Sequence, residues 1–369
     1  MSLGLRPIAR SLRTAVRAKR YGRPTGEVSN SNYVWRYPER WRGIAPVSEP
    51  PQSPGRCFGP VVAEFEAIAP IPELGVAFVP NGTVLGRDGW VFTDNGLLLT
   101  DCAWPRRPAH PRCVPPAFGR TSHFRGTCLN LTSDWASINY AHFIFDCLGR
   151  YGLFLQTGMD PKDVDHIYCP APDSALTREL MERLGVPLDK CVWANEHPQI
   201  TADVVLATSY PGSRYNYPKW LLDFLRGARR PRGDGAKRIY VPRGKDRNIS
   251  NEEEIRDLAH NFGFVVYDHT KMGGHDFFVD AELIMGPHGA GLSNAVFAPT
   301  GCQLFDMMPS DLTLPFCRGV TEPIGVHYNY LIGKSSQMRP PGQFGPSPYD
   351  FWVDPDQVRA ALQTLTATS

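Results

Sequence analysis

From Arg238 onward the sequence alternates short apolar runs with amphipathic segments, and few architectures accommodate that rhythm. "RIYVPR" reads as a strand and "NEEEIRDLAHNF" as a helix. "FVVYD" is a strand, "HDFFVDA" a short helix and "LIMG" a strand. "GLSNAVFAP" is a helix and "CQLFDMM" a strand. Short strands alternating with helices imply a parallel sheet covered by helices. The same alternation runs less regularly upstream. "TCLNLTS" and "DHIYCPA" read as strands, and "SALTRELMERLGV" and "PKWLLDFLRGAR" as helices. "NYAHFIFDCLGRYGLFLQTG" reads as one helix ended by Gly158.

The chain has 369 residues, 42% of them hydrophobic, too long for one ordinary core and rich enough for two. The expected architecture is α/β, with two Rossmann-like domains facing a cleft and a β-rich N-terminal part. Expected boundaries are a basic segment and Pro/Gly-rich arm over 1–60, a first domain over 61–230, a second over 231–345 and a C-terminal helix over 346–369. The polar stretch "RRPRGDGAK" marks the crossing between domains. From Val61 to Cys102, short apolar segments are broken by turns at Asn81-Gly82 and Asp94-Asn95-Gly96, which suit hairpins. Ligands of such domains bind outside the carboxyl ends of the strands.

Thirty-nine basic and 37 acidic residues leave a formal net charge of +2, which does not suggest a protein that coats nucleic acid. Nine scattered cysteines without a C-x-x-C pair read as reduced cytosolic thiols rather than a disulfide framework. No apolar run reaches the length of a membrane span. The first residues, "RPIARSLRTAVRAKRYGR", are Arg-rich and lack acids. As a helix they place Leu5, Ile8, Leu12 and Val16 near one face, with Arg6, Arg10, Arg13 and Arg17 mostly opposite. Two readings stand: a contact with an anionic membrane surface, where a lipid-linked acceptor would be found, or a basic tail.

In "LIMGPHGAGLSNAVFAP" the strand is expected to end at Met285 and the helix to start near Leu292. The first turn of a helix offers unpaired N–H groups, and Gly289, Ala290 and Gly291 leave the backbone open to an anion. His288 can donate a hydrogen bond to a phosphate oxygen or a sugar hydroxyl. The competing reading is a tight turn that needs glycine for steric reasons alone. The spacing matches neither a P-loop nor a dinucleotide fingerprint. "YVPRGKDRNISNEEEI" places Arg243, Lys245 and Arg247 after a strand, at the same sheet edge. Arginine suits paired contacts with phosphate, so this loop reads as a diphosphate clamp or as a solvated basic loop. Asn251 and Glu254 have capping-box spacing.

His142 and Asp146 stand four apart, on one face of a helix. A carboxylate fixes the tautomer of an imidazole acting as a base. Either residue can be the base: His142 with Asp146 behind it, or Asp146 directly. The competing reading is a structural histidine. Asn139 and Tyr140, just ahead, are candidates for touching an acceptor hydroxyl. Metal ligation reads weakly. His269 and His275, with Asp268 and Asp276, flank "TKMGG" in no recognised pattern. Asp354 and Asp356 of "DPD" are explained as helix caps. No required metal is expected.

Together these blocks resemble glycosyltransferase family 61. "NYAHFIFDCLGRY" is similar to the family's Asn-Tyr/Trp-x-His-x-x-x-Asp pattern, "YVPRGKDRNISNEEEI" to its strand, arginines and Asn-Glu segment, and "GPHGAGLSNAVFAPTGCQLFDMMP", with Asn294, Phe297 and Gly301, to its glycine turn. The resemblance covers residues 127–365. It implies a GT-B-like fold and an inverting, metal-independent transfer from a nucleotide sugar, commonly UDP-linked. The acceptor would be a hydroxyl of a glycan or lipid-linked saccharide, and no cofactor beyond the donor is implied. Bacterial relatives are linked to surface polysaccharide assembly, and a chain without an apolar anchor fits a bacterial cytoplasmic enzyme, at the inner face of the membrane if its N-terminus binds there. Asp306 stands where the family usually has Glu, and the resemblance implies a contact to a ribose or sugar hydroxyl. "GGHDFFVDAEL" replaces a segment that often carries Gln. A phosphorylase or epimerase, or a catalytically inactive nucleotide-sugar-binding or assembly subunit, would carry the same cradle.

Overall fold

The computed structural model describes residues 22–47, 55–60, 69–103 apart from 87, 117–170, 175–340 apart from 214, 232, 234, 235, 271 and 273, and 347–367, with residues 15, 16 and 19 besides. The basic face expected before residue 22 and the first of the short apolar segments, at 61–68, thus lie outside the described residues, Val16 apart. The fold is α/β, with two sheets and a β-rich start. The chain divides into two compact units. One comprises residues up to 46 and 72–214, the other 47–71 and 215–369.

The first unit is organised by Gln199–Thr208, a ten-residue strand with different partners on its two sides. On one side it pairs antiparallel with Thr83–Leu85 and Gly75–Pro80. On the other it runs parallel to Ser122–Asn130, beyond which lie His166–Cys169 and Cys191–Trp193, also parallel. The hairpin turns fall as expected: Asn81 and Gly96 both take positive φ, at 49° and 84°. The arm supplies Gly26–Val28, which adds to the sheet edge beside Leu97–Leu99. Val79, Val84, Val91, Leu99, Ile200 and Val205 form the core between these strands. The β-branched content suits a pleated surface.

In the parallel part, Ser122–Asn130 comes first in the chain and Gln199–Thr208 last, yet they are neighbours. The strand order therefore reverses between them. Chain from the end of Ser122–Asn130 leads into the helix expected from residue 139. That helix is present but not uniform. An α-helical turn, Tyr140–His142, passes into a π-helix, Phe143–Leu148, and returns to α over Gly149–Gln156. Gly158, at φ 78°, ends it.

The second unit carries the regular alternation. Arg238–Tyr240 lies between Val265–Val266 and Leu283–Pro287, and Gln303–Pro309 and His327–Ser335 follow outward, all parallel. In chain order this is 2-1-3-4-5, the flavodoxin-like winding, with its switch point between Arg238–Tyr240 and Leu283–Pro287. Phe351–Trp352 adds antiparallel at one end of His327–Ser335, and Arg56–Cys57 from the arm pairs with its middle. Helices Glu252–Asn261 and Pro355–Ala367 cover one face, burying Ile255, Leu258, Val358, Leu362 and Leu365 against Met285 and Phe305. Asp354 Oδ1 accepts from the Asp356 N–H at 3.0 Å, the expected cap. Asn251 departs from its expectation. Its side chain makes no bond to the helix N–H groups and instead pairs with the Val353 backbone, accepting at 3.1 Å and donating at 2.9 Å.

Candidate functional site

The expected site residues fall into two groups, one in each unit, and each stands at a point where its sheet's strand order reverses. Arg243, Lys245, Arg247, His288, Gly289, Ala290, Gly291, Asn294 and Asp306 belong to the second unit. Asn139, Tyr140, His142 and Asp146 belong to the first.

In the second unit the strand Leu283–Pro287 runs two residues past Met285, because His288 N still donates to Met307 O at 2.8 Å. The helix after it begins at Ala290 and is a 3-10 helix, Ala290–Phe297. The glycines answer to close packing. A Cβ at Gly289 would collide with the Arg243 guanidinium, and one at Gly291 would lie 2.7 Å from Val241 Cγ1. The steric reading thus accounts for both positions, and the group that uses the room at Gly289 is a cation. Arg243 Nη1 donates to His288 O at 2.8 Å, while its Nε donates to Lys245 O and Asp246 O. Lys245 joins the corner through its carbonyl, with an exposed side chain.

Arg247 is the least comfortable residue there. It takes φ 61°, in the left-handed region, which costs a non-glycine residue of order 1 kcal/mol or more. It is 9% exposed, and its Nε is buried without a hydrogen-bond partner. Burial, followed by repulsion from Arg243, pushes its guanidinium down to about 10, with Asp246 and Asp311 opposing. Burial likewise lowers Arg243. A buried guanidinium with an unpartnered Nε thus stands beside a second, half-buried one that is bonded to backbone carbonyls. An anion with several acceptor oxygens would correct that.

His288 is held from behind. Its Nδ1 lies 2.8 Å from Asp306 Oδ2, and Tyr328 donates to the same oxygen at 3.1 Å. Asp306 is fully buried. Its Oδ2 thus faces His288 and Tyr328, while its Oδ1 is buried without a hydrogen-bond partner. Asn294 is also buried, its Nδ2 donating to Gly291 O at 3.1 Å, so it braces the turn. Cys317 is buried beside them, with burial and then Asp306 raising its thiol. Its sulfur, the imidazole and the carboxylate offer ligand atoms within 4.8 Å of one another. That mixed N/O/S set suits a borderline cation such as zinc. No spacing signal marks it, since 288, 306 and 317 meet only through the sheet. Asp268 instead accepts from Thr270, and His275 pairs with Asp276 at 3.4 Å.

In the first unit, Asn139 caps the helix start, its Oδ1 accepting from Ala141 N at 2.9 Å and His142 N at 3.5 Å. Its carbonyl oxygen thus serves the backbone. Tyr140 opens the helix and is half-buried. His142 Nδ1 lies 2.7 Å from Asp146 Oδ2, as the spacing predicts. The histidine side chain is 23% exposed and the aspartate 0%. Of the two, His142 reaches solvent. Tyr210, to which the sequence drew no attention, donates to Asp146 Oδ1 at 2.7 Å. Its position just past a strand end was the available signal.

A sheet whose strand order reverses beside two arginines defines an α/β protein with a candidate site at a switch point. Comparison with known families narrows that class. Residues 140–305 match the family model described as Glycosyltransferase 61. The match begins at the helix of His142 and ends one residue before Asp306, so it takes in residues of both groups but leaves out Asn139 and Asp306. It supports glycosyltransferase-type activity on a sugar donor and an acceptor. No curated protein matches the chain. Among the described residues no helix is long and apolar enough to cross a membrane.

Proposed function

We propose that this protein is an inverting glycosyltransferase of GT-B type that moves a sugar from a UDP-linked donor to a hydroxyl of a glycan or lipid-linked saccharide. The observation that carries the proposal is Arg247, a nine-tenths-buried guanidinium beside Arg243 with its Nε unmatched. In this reading the donor's diphosphate lies against Arg243 and Arg247, with His288 beside them. Negative charge grows on the leaving phosphate as the glycosidic bond breaks, and fixed cations act most strongly on charge that develops during reaction. They do so without a metal.

His142 is the general base in this proposal. With Nδ1–H directed at Asp146, its Nε2 lone pair takes the proton of the acceptor hydroxyl as that oxygen attacks the anomeric carbon. The bond to the phosphate breaks on the opposite side, and inversion follows from the single displacement. Asp146 supports the resulting imidazolium.

A thermal-shift panel of UDP-, GDP- and CMP-sugars tests the donor assignment. A UDP sugar is expected to raise the melting temperature of the wild type, and Arg247→Ala to abolish that shift. Stabilisation by GDP or CMP sugars instead would sink the UDP assignment. With the stabilising donor, His142→Ala is expected to lower turnover about 100-fold or more while leaving the thermal shift in place. Wild-type turnover in that variant would remove His142 from the chemistry.

A further inference from the structure

We propose that Tyr210 is the positioning residue of the first unit: it clamps Asp146 so that His142 keeps its proton on Nδ1 and presents Nε2 as a proton acceptor. The inference rests on His142 being the base. Asp146 is gripped at both ends, Oδ2 by His142 and Oδ1 by the Tyr210 hydroxyl, each at 2.7 Å. A carboxylate bonded through one oxygen can rotate about Cβ–Cγ; bonded through both, it cannot. Tyr210 is 3% exposed, so water does not readily replace its hydroxyl.

The clamp is itself anchored. Tyr210 lies two residues beyond the carboxyl end of Gln199–Thr208, where that strand borders Ser122–Asn130 and the order reverses. Its N–H donates to Asp101 O at 2.7 Å, and Ser209 N–H to Gly75 O at 2.8 Å. Arg150 adds a second tie. It stands four residues after Asp146 and is fully buried. Its Nη1 donates to Thr208 O at 2.8 Å and Thr208 Oγ1 at 3.0 Å, and its Nη2 donates to Cys102 O. The helix that carries Asp146 is thus fastened to the strand end that carries Tyr210, and the hydroxyl meets the carboxylate in one register. A tyrosine with a merely structural role would need a hydrogen-bond acceptor, and a backbone carbonyl would serve. Here the acceptor is the carboxylate that sets the histidine tautomer.

The test is Tyr210→Phe in protein labelled with 15N-histidine, with His142 assigned by comparison with His142→Gln. Ring-nitrogen NMR is expected to show His142 as the Nδ1–H tautomer in the wild type. In Tyr210→Phe the Nε2–H form, which free histidine prefers, is expected to become the major one. Hydrolysis of UDP-N-acetylglucosamine and UDP-xylose is expected to lose about tenfold in kcat at unchanged KM, the order seen when a group that orients a functional histidine is removed. An unchanged Nδ1–H tautomer in folded Tyr210→Phe overturns the proposal whatever the donor. If His142→Gln turns the donor over at the wild-type rate, the base assignment falls, and the tautomer still decides the role of Tyr210. Should Tyr210→Phe not fold, the wild type supplies the measurement. A slowly exchanging Tyr210 hydroxyl proton that moves on Asp146→Asn supports the clamp, and its absence overturns it.

Discussion

Arg247 shows how a proposed binding residue can work against the fold that carries it. Its ionisation is shifted down to about 10, so the native state disfavours the charged form relative to the unfolded chain. That penalty is present in full at every pH below about 10 and fades only above it. At neutral pH, then, the charge destabilises the free protein. Arg247→Met keeps most of the side-chain volume and removes the charge. It is expected to raise the melting temperature of the free protein and to abolish the shift produced by a UDP sugar; a lower melting temperature would show that the guanidinium has a counter-charge after all. The cysteines allow a second residue-scale test. Burial pushes the thiols of Cys102, Cys128 and Cys302 up to about 12, whereas the half-buried Cys191 is lowered, chiefly by its hydrogen bond with Cys169. Only the thiolate reacts with iodoacetamide. Peptide mapping of the native protein at pH 8 is therefore expected to find Cys191 alkylated well before those three, and equal labelling would contradict the burial. At this scale the sequence was legible where a pair is local. His142 and Asp146 meet because four residues make one helical turn. The pairing of His288 with Asp306 and the role of Tyr210 were not legible, because those partners lie 18 and 64 positions apart, and only the sheet register brings them together.

The elements themselves follow the hydrophobic rhythm closely, and the departures have local causes. Each expected strand and helix from residue 127 onward has its counterpart, since period and turn residues point the same way there. The π-helix at Phe143–Leu148 carries no such signature. All six of its residues are buried, and an apolar stretch reads alike whether its turns hold 3.6 residues or more. Likewise the 3-10 form of Ala290–Phe297 leaves the apolar pattern unchanged. The C-terminal helix was readable, and its packing gives a quantitative expectation. Leu362 is fully buried against the face that includes Leu258 and Phe351. Leu362→Ala is expected to cost about 2–5 kcal/mol in urea unfolding, and exposed Gln363→Ala less than about 0.5 kcal/mol. Similar values for the two would place that helix outside the core.

At the scale of the molecule, each unit has a sheet and a core of its own, and the proposed donor contacts fall wholly within the second. That separation makes the donor assignment testable without transfer being measured. A ligand that binds one folded unit raises that unit's stability by mass action, about 2.7 kcal/mol at 100 times its dissociation constant. Calorimetry is expected to resolve two transitions, and Leu362→Ala to identify the second unit by lowering its own. A saturating UDP sugar should then raise that same transition, in the presence or absence of EDTA. Loss of the shift with EDTA would bring the His288, Asp306 and Cys317 ligand set into donor binding as a metal site. A shift confined to the other transition would move the donor to the unit of His142, leaving Arg243 and Arg247 without their proposed anion.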